Sequence, residues 1–393
     1  MSRVVMTTVK TFAYGASRMT FHYASALTAA GHDVTVLYEQ GSDASSKNGS
    51  ILPEMADAGV ATTQVPGMRR AAVPGCGGTL KAAIAACRPD IVVSTQLGDA
   101  PATTKAARGL GVPCVLFAQN MPRFTGPGPV IALKNWVYGR AVGRASRSLC
   151  VAPAIRTRMI EEGWADPAAV DVVLNGLDMD RLPPMDASHR ESVRREFGLA
   201  DGERLLVNLA RIHPQKGLDT LAEAAALMRA DADCPPFKIL IVGDVSGPGD
   251  QPHKDALVAQ LDRLGLRETV LLPGFRSDGP RLLQAADLYV LSSRWEGLPL
   301  VILEAMAARL PVVTTEYGER FAGFEDGVHG WYTPVEDAEA FARTTAAALK
   351  LSDDERRNVG EAGRRYLEEN LTLDEGKRQF VAEVESLIRG ADR

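Results

Sequence analysis

Two glutamates, Glu296 and Glu304, stand eight positions apart in the segment Ser292 to Thr315, SSRWEGLPLVILEAMAARLPVVTT. Ahead of them Asp287 to Leu291 (DLYVL) reads as a short buried strand, and Pro299 suits the first turn of a helix, where its missing N–H costs little. Strand, glycine turn and helix in that order make the edge of a ligand site in an open parallel sheet, and the N–H groups at the helix start favour phosphate. Glu304 then lies about five residues into the helix, roughly 7 Å from its start. From there its carboxylate reaches groups attached to a bound phosphate and can accept two hydrogen bonds from a vicinal diol such as a ribose. The alternative is that both glutamates are solvated surface charges, the usual fate of a Glu on a helix. The apolar neighbours Val301, Ile302, Leu303, Ala305, Met306 and Ala307 favour the first reading, because a carboxylate in a buried helix needs a partner.

A second pair of charges has the complementary sign. Arg211 and Lys216 flank the turn Ile212 to Gln215, between a strand and a helix that begins near Gly217, so both converge on an anion at the carboxyl edge of a sheet. An Arg and a Lys on a surface loop are common. Together with the glutamate pair about 90 residues on, they point to a diphosphate.

The Glu296 to Glu304 segment, with LPVVTT after it, resembles the Glu, seven residues, Glu signature of family 4 glycosyltransferases. Asn208 to Gly217 (NLARIHPQKG), Val172 to Asp178 (VVLNGLD) and Glu325 to Gly330 (EDGVHG) resemble further segments of that family, in the same order. The likeness covers nearly the whole chain, most strongly from about residue 170. It implies an α/β protein of GT-B fold, two doubly wound Rossmann-like domains facing across a cleft. It also implies a retaining transfer of a hexose-type sugar from a nucleotide diphosphate sugar, UDP being the expected carrier, to a hydroxyl of a small molecule, natural product or lipid. No metal or cofactor is implied: basic side chains and helix N-termini stabilise the departing phosphate, which itself receives the acceptor's proton.

Carried over residue by residue, the resemblance gives Arg211, Lys216 and Glu296 to the reacting groups, with Glu296 on the hydroxyls of the donor sugar and Glu304 on the ribose. Backbone N–H groups of Gly297, Leu298 and Leu300 approach the phosphates, and Phe275 and Arg276, in the turn Pro273 to Arg276, stand where the base is held mostly by backbone. Gly15 permits close backbone approach to a sugar or phosphate, although Ala16 replaces the second glycine the family often has. Gly243, with Asp244, forms a tight turn lining the cleft. Gln119 and Asn120 stand near the donor sugar or acceptor, where many relatives carry a histidine; a glutamine hydrogen-bonds but takes no proton, which argues against a base there.

Other readings stay open. Asp178-Met179-Asp180 spells the Asp-x-Asp string of metal-dependent, one-domain glycosyltransferases, but it falls in the expected linker, and Asp178 reads as a turn residue. A nucleotide-sugar epimerase of the same fold would need proton-abstracting groups that the matched motifs supply less well. A non-catalytic nucleotide-sugar binding subunit would not need all of Arg211, Lys216, Glu296 and Glu304.

The elements needed to position these residues are legible in outline. A chain of 393 residues exceeds the size of a single core, so two domains are expected, 1–178 for the acceptor and 179–371 for the donor, with a last helix, about 372–393, packing back on the first. Expected strands are Val4–Thr8, Val34–Tyr38, Ile91–Thr95, Val112–Ala118, Ser148–Ala152 and Val170–Leu174, then Leu205–Leu209, Lys238–Val242, Val270–Leu272, Leu288–Leu291 and Pro311–Thr314. Helical patterns between them argue for crossover units and parallel sheets. The boundary falls in the proline- and aspartate-rich Gly176 to Ala187.

Composition excludes some classes. Five scattered cysteines, Cys76, Cys87, Cys114, Cys150 and Cys234, form no CxxC pair and read as free thiols, and six histidines show no zinc spacing. No apolar run reaches the roughly 20 residues of a membrane span and MSRVVMTTVK reads as a strand, so a cytoplasmic protein is expected. The net charge of −5 divides unevenly: residues 1–180 carry 17 Lys and Arg against 13 Asp and Glu, the remainder 27 against 36. The basic stretch Lys134 to Arg158, with Trp136 and Tyr138, suits a membrane surface at the inner face, an anionic acceptor, or simply the solvated face of two helices. Nothing suggests a nucleic-acid partner.

Overall fold

In the computed structural model the described residues are 1–12, 15–40, 49–69, 78–120, 122, 124, 127–179, 183–245, 247–318, 320–321 and 324–391. Asp180, Cys76 and part of the expected linker lie outside them. The chain divides into two compact units, residues 1–175 with 373–393, and residues 176–372.

The first unit runs β1 (Arg3–Lys10), α1 (Gly15–Ala29), β2 (Asp33–Gln40), α2 (Leu52–Asp57), β3 (Ala61–Gln64), α3 (Gly78–Cys87), β4 (Ile91–Ser94), α4 (Ala100–Leu110), β5 (Cys114–Ala118), α5 (Gly128–Val142), β6 (Arg147–Cys150), α6 (Pro153–Glu161) and β7 (Val170–Val172). The second runs α7 (Ser188–Glu196), β8 (Arg204–Leu209), α8 (Leu218–Ala230), β9 (Phe237–Val242), α9 (Gln251–Arg263), β10 (Val270–Gly274), α10 (Gly279–Ala285), β11 (Leu288–Leu291), α11 (Leu300–Ala307), β12 (Val312–Thr315), β13 (Trp331–Thr333), α12 (Ala338–Lys350) and α13 (Asp353–Asn370). The last helix, α14 (Leu373–Ala391), belongs to the first unit.

Each unit is built on one parallel sheet. The strand orders are β3-β2-β1-β4-β5-β6-β7 and β10-β9-β8-β11-β12-β13, so each order reverses beside its own first strand, between β1 and β4 and between β8 and β11. Ligands of doubly wound sheets bind beyond the carboxyl ends of the strands at such a reversal. Helices cover both faces, so the central strands β4, β5, β11 and β12 are buried at every position, and their sequences are continuous runs of apolar, serine or threonine residues. The edge strand β3, exposed at all four residues, carries no such signal, and like the short β13 it lies outside the expected strands.

Helix α14 packs against α1 through an aromatic cluster: the Phe380 ring lies 4.4 Å from that of Tyr23 and 5.3 Å from that of Phe117, between ring centroids. The buried Tyr23 hydroxyl donates to Asn175 Oδ1 at 3.0 Å, which holds the end of the first unit's chain against its own helix. Beyond that point the backbone N–H of Leu177 donates to the Leu371 carbonyl at 3.0 Å, so the strand leaving Asn175 and the one returning to α14 are tied together.

Candidate active site

The site is assembled where β8 and β11 end side by side. A 3₁₀ turn, Pro214–Lys216, interrupts the loop after β8, and Gly217 caps α8 with φ +57°, in the left-handed region. A Cβ on Gly217 would stand 2.1 Å from the Ser292 carbonyl oxygen, so a side chain there would force the loops after β8 and β11 apart. The loops are also bonded directly: Arg294 N–H donates to the Gln215 carbonyl at 2.8 Å, and Ser292 Oγ donates to the Lys216 carbonyl at 3.0 Å. Gly243, after β9, is held equally tightly; its Cβ would lie 1.9 Å from the Ala210 carbonyl oxygen, beside Arg211.

This frame brings Lys216 and Glu296 together. The Lys216 ammonium donates to Glu296 Oε1 at 2.6 Å, Ser293 Oγ donates to the same oxygen at 2.6 Å, and Gln215 Nε2 donates to Oε2 at 3.1 Å. Glu296 is only 6% exposed, so the ion pair and the two neutral donors replace the water it has lost. A carboxylate offers about four acceptor positions and an ammonium three donors. Three of the four on Glu296 are filled, and one donor of Lys216 is used on Glu296. Ser293 and Gln215 are not among the residues expected in the site; Gln215 adjoins Lys216, and Ser293 lies three positions before Glu296.

Glu304 is the fifth residue of α11, whose cap is Pro299. It is half-buried, and among the described residues its carboxylate has no hydrogen bond or ion pair. Burial alone pushes its pKa up to about 7. Tyr289, wholly buried on β11, has its phenol driven well above the usual range by burial and then by the charges of Glu304 and Glu296, which places both carboxylates around one ring. The Tyr317 hydroxyl, buried and without a partner, is raised by burial, by Tyr332 and by the same Glu296. The backbone N–H groups of Gly297, Leu298 and Leu300, which lead into α11, have no protein acceptor among the described residues; for Leu300, the first helical residue, helix geometry dictates this.

Arg211 follows β8, is exposed, and lies close enough to His213 that its charge, after burial, lowers that imidazole's pKa. Phe275, directly after β10, is 46% exposed. Arg276 next to it is held by its own neighbourhood: it donates to both oxygens of Asp278 at 2.8 Å and to Glu196 Oε1 at 2.6 Å, and its hydrogen bonds take the Asp278 carboxyl down to about 2. Its guanidinium is thus committed to structure, leaving its backbone as the part available to a ligand.

In the first unit Gly15 opens α1 with φ +61°. Gln119 follows β5, is 5% exposed, and neither its Oε1 nor its Nε2 has a hydrogen-bond partner; Asn120 beside it is exposed. A buried carboxamide with both ends unmet is costly, so a native one marks a place where a ligand or water completes the set. Among the described residues no three His, Cys, Asp or Glu side chains gather as a metal-binding group.

Two family models match the chain, "Glycosyl transferases group 1" over residues 189–366 and "Glycosyltransferase Family 4" over residues 13–181. Among curated proteins, the UDP-Gal:alpha-D-GlcNAc-diphosphoundecaprenol alpha-1,3-galactosyltransferase of Escherichia coli is 29% identical over 257 residues, 65% of this chain and 64% of that protein. The D-inositol 3-phosphate glycosyltransferase of Mycobacterium sp. (strain KMS) is 36% identical over 233 residues, 59% of this chain and 51% of that protein. The chain therefore spans between half and two-thirds of the length of these curated relatives. Among solved structures, Anabaena HepE in complex with UDP and glucose matches 98% of this chain and 100% of its own with a TM-score of 0.81 at 20% identity. Sucrose-phosphate synthase from Thermosynechococcus elongatus matches 99% and 100% with a TM-score of 0.79 at 16% identity. These two share the fold. With one family model on each of its Rossmann-like units, the chain belongs to the glycosyltransferases of family 4.

Proposed function

We propose that the protein transfers a hexose-type sugar, with retention, from a UDP-sugar to an acceptor hydroxyl of a small molecule, natural product or lipid. The observation that carries this reading is the Lys216–Glu296 pair at the reversal of the second sheet, with the unpartnered Glu304 one helical turn into α11. UDP as the carrier is supported by the names of relatives: a UDP-Gal transferase similar in sequence and a UDP-bound protein of the same fold.

The chemistry follows from the donors and acceptors left over. The bond between the sugar's anomeric carbon and the phosphate oxygen breaks, the electron pair goes to the diphosphate, and the acceptor oxygen bonds to the same face. The departing phosphate takes the acceptor's proton, so no protein base is required. Lys216 has two N–H donors beyond the one on Glu296, and with Arg211 it stabilises the charge that develops on the leaving diphosphate. The N–H groups opening α11 supplement them. Glu296 has about one acceptor position left, enough to orient a sugar hydroxyl. Its Oε1, held by an ammonium and a hydroxyl, is a poor nucleophile. Glu304, ionised, accepts both hydroxyls of a ribose. No metal enters these steps. Gln119 and Asn120, with Gly15, are the groups the first unit offers to a sugar or acceptor bound on that unit.

Incubation with a panel of UDP- and GDP-hexoses and a set of alcohol acceptors, with and without magnesium, tests the reading. Nucleoside diphosphate release and a product with the donor's anomeric configuration, seen by proton NMR, are expected. Inversion of that configuration, or conversion of the donor without acceptor, would contradict it.

A further inference from the structure

Between residues 100 and 160 the chain has no Asp or Glu and nine Lys and Arg. Three of these cations, Arg108 on α4, Arg140 on α5 and Arg144 just beyond it, lie close together. Val130, Leu133 and Trp136, at i, i+3 and i+6 along α5, are 41%, 59% and 58% exposed, and they share that side of the helix with Arg140, while Arg144 follows just after the helix end. The opposite side, Tyr138, Ala141 and Val142, is buried against the unit. The Arg140 guanidinium lies 5.0 Å above the Trp136 ring. Arg140 and Arg108, the latter on α4, crowd Arg144, whose pKa is lowered by partial burial and then by their charges. Among the described residues Arg108, Arg140 and Arg144 have no acidic partner.

Three exposed large apolar side chains beside arginines that have no acidic partner among the described residues are stable in water only at a cost. We propose that this face of α5 docks the protein onto an anionic lipid surface. The apolar side chains then enter the boundary between headgroups and acyl chains, and the arginines stay at the level of the lipid phosphates. Charge complementarity selects this occupant. A second copy would oppose like charges, and a nucleic acid would satisfy the arginines while leaving Val130, Leu133 and Trp136 in water. The helix lies on the bilayer rather than through it: 15 residues span about 22 Å against a hydrocarbon core of about 30 Å, and among the described residues no helix is long and apolar enough to cross a membrane. Because α5 follows β5, its start lies at the carboxyl edge that carries Gln119 and Asn120, the edge to which a lipid-borne acceptor would be delivered. The inference stands whether or not the donor is a UDP-sugar.

Flotation of the full chain with vesicles of neutral phosphatidylcholine, or of phosphatidylcholine with phosphatidylglycerol, tests it. Binding is expected to the anionic vesicles alone and to weaken in 0.5 M salt. Removing the two charges in Arg140→Gln/Arg144→Gln is expected to weaken it about 30-fold, at about fivefold per cation. Leu133→Ser/Trp136→Ser, at exposed positions and checked by circular dichroism to be folded, is expected to reduce it as strongly. The proposal is overturned by no binding to anionic vesicles, or by binding that either double variant leaves unchanged. Competition by nucleic acid with no role for Leu133 and Trp136 also overturns it, as does a dimer in ultracentrifugation that Leu133→Ser/Trp136→Ser dissolves while no vesicle binding is seen.

Discussion

The loops leaving β8 and β11 in the second unit are joined by charge: Lys216 meets Glu296, with Gln215 and Ser293 completing the carboxylate. At the matching reversal in the first unit, β1 and β4 are joined by hydroxyls and amides and by the Asp99 carboxyl, without an ion pair among the described residues. Gln96 accepts from Val9 N–H at 3.2 Å and donates to Thr8 Oγ1 at 2.7 Å, while Thr95 bonds to Thr20 and to the Thr7 carbonyl. One strand order thus supports two kinds of edge. A fixed ion pair with spare donors suits an invariant, highly charged group such as a diphosphate. Hydroxyls and amides suit a neutral ligand whose identity differs from one protein to the next. The two units also differ in the carboxyl whose pKa burial raises. Asp99, fully buried at the start of α4, accepts from Thr7 Oγ1 at 2.6 Å, Ser94 Oγ at 2.8 Å and Gln96 N–H at 3.1 Å, whereas Glu304 has no such donors. Burial holds both near 7, against the hydrogen bonds in the case of Asp99.

The largest effect expected separates the two edges. Lys216→Ala leaves Glu296 buried without its counter-ion, which costs about 3–5 kcal/mol of stability, and transfer should fall about 10³-fold. Gln96→Ala, at the first unit's edge, should cost about 1–2 kcal/mol in the same urea titration. Equal losses would remove the distinction.

Next in size is the pH dependence of Glu304. A half-buried acid whose folded pKa is raised keeps its proton longer in the folded state, so its stabilising effect is present below about 4.3 and is lost as pH rises through about 7. Asp99 acts in the same direction. Stability should therefore fall between pH 5 and pH 8. Glu304→Gln should remove about half of that slope and be about 1–3 kcal/mol more stable than the wild type at pH 8, while binding nucleotide more weakly. An unchanged slope would mean that Glu304 is already ionised at pH 5.

Gln119→Met is the smallest. Because neither end of the carboxamide is bonded within the protein, the substitution should leave stability unchanged or raise it by about 1 kcal/mol, and lower transfer. A clear loss of stability would show that Gln119 is a structural residue.

Much of this architecture is legible before any coordinates, for physical reasons. Strands buried on both faces, such as Cys114–Ala118 and Leu288–Leu291, are unbroken apolar runs, and their ends fix where the charged residues emerge. Ala61–Gln64 is hidden because its exposed residues look like a loop. The four charged residues of the second unit stand out by type and spacing, but that Lys216 reaches Glu296 depends on two loops 80 residues apart lying side by side. The same holds for Arg276: Asp278 is visible two positions on, whereas Glu196 comes from the end of α7, 80 residues earlier. The lone carboxamide of Gln119 has no sequence signature, since it is defined by what does not surround it.

The central claim is that the edge formed by Arg211, Lys216, Glu296 and Glu304 binds a nucleoside diphosphate. Thermal unfolding of the wild type, Arg211→Ala and Glu304→Ala with UDP, GDP, ADP, TDP and CDP, with and without magnesium, tests it most directly. Stabilisation by UDP above the other nucleotides, independent of magnesium and lost in both variants, is the predicted result. No shift with any nucleotide, or a shift that both variants retain, would contradict it.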